Sequence, residues 1–122
     1  MTQRYEGLYM LLERLYPAVR SAPSLQRFAG LLPHYFRLAE EDFGVEDPLS
    51  RCDEGVVVIN NHAPSYALAS SDTFTHVAYL AGLIGKELLI PHVAPNHVVT
   101  ALLAFQQAYC AYVRNDGDGE TP

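Results

Sequence analysis

The sequence predicts a mixed α/β domain: a helical N-terminal half, then a β-α-β-α run whose small sheet is covered by helices. Three observations carry that expectation. Apolar residues recur at helical spacing over residues 5–19. Val56, Val57, Val58 and Ile59 form an unbroken apolar run, as in a strand covered on both faces. Two more helical periods follow, separated by the short apolar segment "KELLIP". With 122 residues, 49% of them apolar, the chain has the size and apolar content of one domain. Residues 1–114 are assigned to it, and the polar 115–122 to a flexible acidic tail.

The first helix is expected over residues 5–16. Tyr5, Leu8, Leu12, Leu15 and Val19 mark one face, while Tyr9, Leu11 and Tyr16 widen it. Pro17 is expected to end or kink it. A helix this apolar has a second side to bury, which points to a subunit interface. Ser24 is the expected N-cap of a short helix, Leu25–Ala29, stopped by Gly30. Over residues 32–43 two readings compete. Pro33, Leu32, Phe36, Ala39 and Phe43 favour a helix, whereas the acids at its end oppose the helix dipole and favour an edge strand over Tyr35–Ala39. Helix is the preferred reading. "GVEDPLSRCDEG" reads as a loop and "GVVVINN" as the clearest strand. "NHAPSYALASSD" reads as a second loop. Ser71 or Asp72 then caps a helix over Thr73–Ile84, with Gly85 as its C-cap. "KELLIP" is the second strand, parallel to the first; a third must come from residues 31–44 or from another subunit. "HVAPN" is a loop, Asn96 an N-cap, and the last helix runs His97–Arg114 with Val98, Ala101, Leu102, Phe105, Ala108, Tyr109 and Tyr112 buried.

Charge and motifs then narrow the function. The net charge is −6, which opposes non-specific nucleic-acid binding, where a basic surface must displace counterions. No apolar run reaches the roughly 18 residues of a membrane span, and the first residues lack the pattern of a secretory signal. A cytoplasmic protein is expected. Two cysteines without CxxC spacing read as free thiols. Seven arginines against one lysine suggest a GC-rich bacterial or phage genome. Phosphate-cradling glycine motifs, a GxSxG elbow and HExxH spacing are absent from the sequence.

Two surfaces are candidates. Glu40, Glu41, Asp42, Glu46, Asp47, Asp53 and Glu54 supply half of the fourteen acids within fifteen residues. Glu40, Glu41, Asp42, Glu46 and Asp47, with the half-wet anchors Tyr5 and Tyr9, would dock a protein partner with a basic surface. The other candidate follows from the expected parallel strands, whose carboxyl edge would gather Asn61, His62, Tyr66, Asp72, His76, His92 and His97 beside helix N-termini. There they would face an anionic metabolite or nucleotide. His92 and His97, five apart in "PHVAPNH", straddle a strand-loop-helix break and so read as a strand exit and a helix start. No catalytic residue, metal ligand or cofactor is assigned. The expected function is a small acidic binding protein, an inhibitor or adaptor that self-associates and docks on a protein partner. A small-ligand binder, or a metal-dependent or hydrolase-like enzyme at the histidine edge, is the alternative.

Overall fold

The run Val56–Asn60 is the middle strand of a three-stranded sheet, β3, which is why it is apolar without alternation. β1 (Arg37–Glu41) lies parallel to it, from Arg37 opposite Val56 to Glu41 opposite Asn60. β2 (Ser50–Asp53) lies antiparallel on the other side, from Ser50 opposite Ile59 to Asp53 opposite Val56. Val57, Val58 and Ile59 are buried. The computed structural model describes residues 2–44 and 48–120, of which 2–6 and 116–120 by backbone alone.

The segment 32–43 is therefore extended where a helix was preferred. Phe36 and Leu38 are buried two apart, the strand period, and Arg37 N donates to Gly55 O while Asn61 N donates to Glu41 O. Odd-numbered residues of β1 thus face β3, and Leu38 presents its N–H to the open edge. That N–H donates to Glu13 Oε2 at 2.6 Å, so a helix side chain closes part of the edge. β2 lies inside the expected loop 44–55. It is short, with only Ser50 buried, and it enters β3 through a two-residue turn. Glu54 and Gly55 both take positive φ, at 50° and 81°, as a tight hairpin twisted to match its strands requires.

α1 runs Thr2–Arg20 straight through Pro17. An interior proline costs about 3 kcal/mol, and packing on either side of it offsets that. Tyr16 donates its hydroxyl to Pro33 O at 2.6 Å and meets the Phe36 ring edge-on, and Val19 is fully buried. Tyr9, Leu12, Tyr16 and Val19 form the core stripe; Leu8 and Leu15, expected on that stripe, are half-buried beside it. Ser24 is no cap: Pro23 opens a 3-10 helix, Pro23–Leu31, after Ala22, and Gly30 lies inside it. Within the expected loop 61–72, α2 (Pro64–Ala69) starts on Pro64, whose missing N–H costs nothing at a first turn.

α3 (Thr73–Leu88) is capped by Asp72 as predicted: Oδ1 accepts from Thr75 N at 3.0 Å and Oδ2 from Thr75 Oγ1 at 2.6 Å. It does not stop at Gly85. Residues 86–88 are its last turn, and a short 3-10 turn, Ile90–His92, replaces the expected second strand. The parallel partner of β3 is β1 instead. Gly85 serves close packing: a Cβ there would sit 3.0 Å from Phe105 and 3.1 Å from Leu102. A second 3-10 turn (Pro95–His97) takes in Asn96, and α4 runs Val98–Glu120. The helical backbone thus extends into the segment expected to be a flexible tail; side chains beyond Asn115 and residues 121–122 lie outside the described residues. Ala101, Phe105, Ala108 and Tyr109 are buried as predicted, and Tyr109 donates to Leu12 O at 2.8 Å, tying α4 to α1.

Two glycines predict opposite responses to alanine. At Gly7, in α1, an added Cβ meets nothing within 4 Å. Gly7→Ala should stabilise by about 0.5–1 kcal/mol through helix propensity. Gly85→Ala should destabilise by about 1–2 kcal/mol, because fully buried Phe105 cannot give way. Urea unfolding of both variants checks the signs; a stabilised Gly85→Ala would remove the close-packing explanation.

Candidate binding surfaces

At the carboxyl end of β3 the chain turns around Asn60, which is fully buried. Its Oδ1 accepts from Phe43 N at 3.2 Å and His62 N at 3.0 Å, and its Nδ2 donates to Gly44 O at 2.9 Å and Pro48 O at 3.2 Å. Three of its four hydrogen bonds hold the β1–β2 connection and the fourth holds the turn after β3, so it has none to offer a ligand. Asn61 and His62 are exposed beyond it. His62 Nδ1 lies 3.3 Å from Asp42 Oδ2.

Beside this turn, α1, β1 and α2 meet through one carboxylate. Glu40 Oε2 accepts from Tyr9 and Tyr66, each at 2.9 Å, and the two phenol oxygens are 3.4 Å apart. Burial first, then Tyr66 and Glu40, hold the Tyr9 phenol far above its ordinary pKa, so it stays a neutral donor. Tyr9 is a core residue here and not an exposed anchor. Tyr66 also stands edge-on to His76, ring centroids 5.4 Å apart, and to Tyr79 at 6.3 Å; Tyr79 and Ser65 hydroxyls lie 2.9 Å apart.

His76, on the first turns of α3, is 2% exposed. It forms part of a cavity of about 200 Å³ between α1 and the α2–α3 junction, lined by Gly7, Leu8, Leu11, Ser70, Asp72, Thr73 and His76. Thr75's hydroxyl, then its N–H, hold the Asp72 carboxyl below its usual value. Tyr66, Asp72 and His76 of the expected ligand set are thus neighbours, with His62 and Asn61 at the adjacent turn. His92 and His97 are not among them. They follow α3, whose 16 residues span roughly 24 Å. The histidine edge divides because its second strand does not exist.

The acidic candidates are partly engaged within the chain. Glu41 pairs with Arg51 at 3.0 Å, Asp42 with His62, and Glu40 with the two tyrosines. Arg51 also lies over the Phe43 ring at 4.5 Å. Glu46, Asp47 and the Tyr5 side chain lie outside the described residues. One polar cluster escaped the sequence reading. Buried Ser50 donates to Glu87 Oε2 at 2.6 Å and accepts from Lys86 Nζ at 3.3 Å, fastening β2 to the last turn of α3. A lysine-glutamate pair directly after a helix glycine is too common to have flagged it. Burial raises both cysteine thiols above their ordinary value, at Cys52 aided by Glu87 and Asp53.

Among the described residues, no group of three or more His, Cys, Asp or Glu side chains comes together as a metal would need, and no helix is long and apolar enough to cross a membrane. No protein-family model, no curated protein and no solved structure matches the chain.

Proposed function

We propose that the protein works by binding, self-associating through the outer side of α1 and docking a basic protein partner at the acidic end of β1. The observation that supports this most is a second apolar stripe on α1. Leu8, Leu11 and Leu15, spaced 3 and 4 apart, are half-buried; Ala18 continues the spacing in solvent, and Met10 beside it is 69% exposed. These leucines pack against the core on one side only, whereas the neighbouring stripe Tyr9, Leu12, Tyr16 and Val19 is buried. A stripe with 3-4-3 spacing is the pattern by which two helices interdigitate, and a contiguous apolar strip left in water favours association.

The net charge of −6 adds long-range attraction for a basic partner, with Glu41 and Asp42 the exposed carboxylates nearest the end of β1. Glu40 belongs to the fold through its two tyrosines, so charge reversal of this patch belongs at Glu41 and Asp42.

Sedimentation velocity across the micromolar range tests self-association. The wild type should sediment as a multimer. Met10→Glu with Ala18→Glu, both exposed positions, should weaken association at least about tenfold with an unchanged circular dichroism spectrum. A wild-type chain that stays monomeric throughout would end this reading.

A further inference from the structure

The cavity between α1 and the start of α3 has a shape and charge that select a class of small molecule. One wall is apolar: Leu8 and Leu11, with no side chain at Gly7, where an added Cβ would begin in open space. Its volume of about 200 Å³ compares with the roughly 150 Å³ apolar cavity that holds a benzene ring. One ring with a short substituent therefore fits.

The rim decides the charge. Both Asp72 oxygens cap Thr75, yet the carboxylate keeps its full negative charge and is exposed at the mouth. The α3 N-terminus contributes a partial positive charge of about half a unit, which the carboxylate outweighs. The chain as a whole is also acidic. An anion, expected at a helix N-terminus in general, is disfavoured at this one.

We infer that this cavity binds a small apolar amine, its ring or branched alkyl body against Leu8 and Leu11 and its ammonium group at the Asp72 rim. The assignment goes beyond self-association; it shares the Leu8 and Leu11 side chains with that stripe, whereas Met10, Leu15 and Ala18 do not line the cavity. It draws on the Leu8–Leu11 wall and on the Asp72 charge, and asks no hydrogen bond of Ser70, Thr73 or His76.

Titration of the labelled protein with phenethylamine, benzyl alcohol and 3-phenylpropionate, followed by amide NMR, tests it. Phenethylamine should shift the amides of Leu8, Leu11 and Thr73 saturably, and should bind about fivefold or more tighter than the carboxylate. Asp72→Asn keeps the helix cap, because asparagine caps as well as aspartate, and should reduce the amine to the affinity of the neutral alcohol. Gly7→Leu, which fills the cavity from an open position, should abolish the shifts of all three probes. Equal binding of amine and carboxylate, unchanged amine binding in Asp72→Asn, or no saturable shift with the amine would each overturn the assignment. The same titration of the Met10→Glu, Ala18→Glu variant, whose substituted side chains do not line the cavity, tests the site with self-association weakened, so that the two readings fail separately.

Discussion

Asn60→Ala should lower the unfolding free energy by about 3–4 kcal/mol, a large fraction of what a domain this size possesses. The substitution removes four hydrogen bonds at once. It leaves the N–H groups of Phe43 and His62 and the carbonyls of Gly44 and Pro48 without their partner. Each lost bond is worth about 1 kcal/mol, and more wherever water cannot replace it. Asn60→Asp should be worse at neutral pH, since an anionic oxygen would then face the two carbonyls that Nδ2 now serves. Its neighbour supplies the control. Asn61 is exposed, and its backbone N–H donates to Glu41 O, a bond that alanine keeps, so Asn61→Ala should stay within about 0.5 kcal/mol. Urea unfolding of the three variants checks the order, and a loss under about 1 kcal/mol for Asn60→Ala would mean that the β1–β2 connection holds itself.

Phe105→Ala should cost about 3–5 kcal/mol, the usual loss for emptying a buried aromatic site. Phe105 is fully buried between α3 and α4, with its centroid 5.3 Å from that of Tyr109 and its edge against Gly85. The two sites should also be coupled. A methyl at residue 85 is strained because the Phe105 ring occupies its space, so Gly85→Ala should cost much less, or even stabilise, once residue 105 is alanine. A double-mutant cycle should show a coupling of about 1–2 kcal/mol. Additive losses would place the strain of Gly85→Ala on some other neighbour.

Legibility in the sequence differed between elements for physical reasons. Val56–Ile59 was readable because only a doubly covered strand tolerates so short an unbroken apolar run. Asp72 was readable because capping is local: donor and acceptor lie three residues apart. The buried face of α4 followed from its period. Leu38 and Leu88 were misassigned although both are buried, since burial alone does not separate strand from helix over five residues. The edge strand β2 carries almost no hydrophobic signal, having a single buried residue. Of the proposed ligand residues, Tyr66, Asp72 and His76 came together because α2 and the start of α3 are consecutive. His92 and His97 were tied to them only through a strand that is in fact the end of a helix.

The sequence by itself therefore determined the one-sided patterns: the apolar stripes of α1 and α4, the buried run of β3, the cap of α3 and the acidic balance of the surface. These depend on residues within a turn or two of each other. Only the tertiary structure decided that residues 37–41 pair with β3 while 86–88 remain helical, and that Tyr9 and Tyr66 share Glu40 and Asn60 holds a loop. Those outcomes rest on contacts between distant segments, chiefly α4 against Gly85 and β1 against β3, whose energies exceed the small local preferences that a short apolar segment expresses.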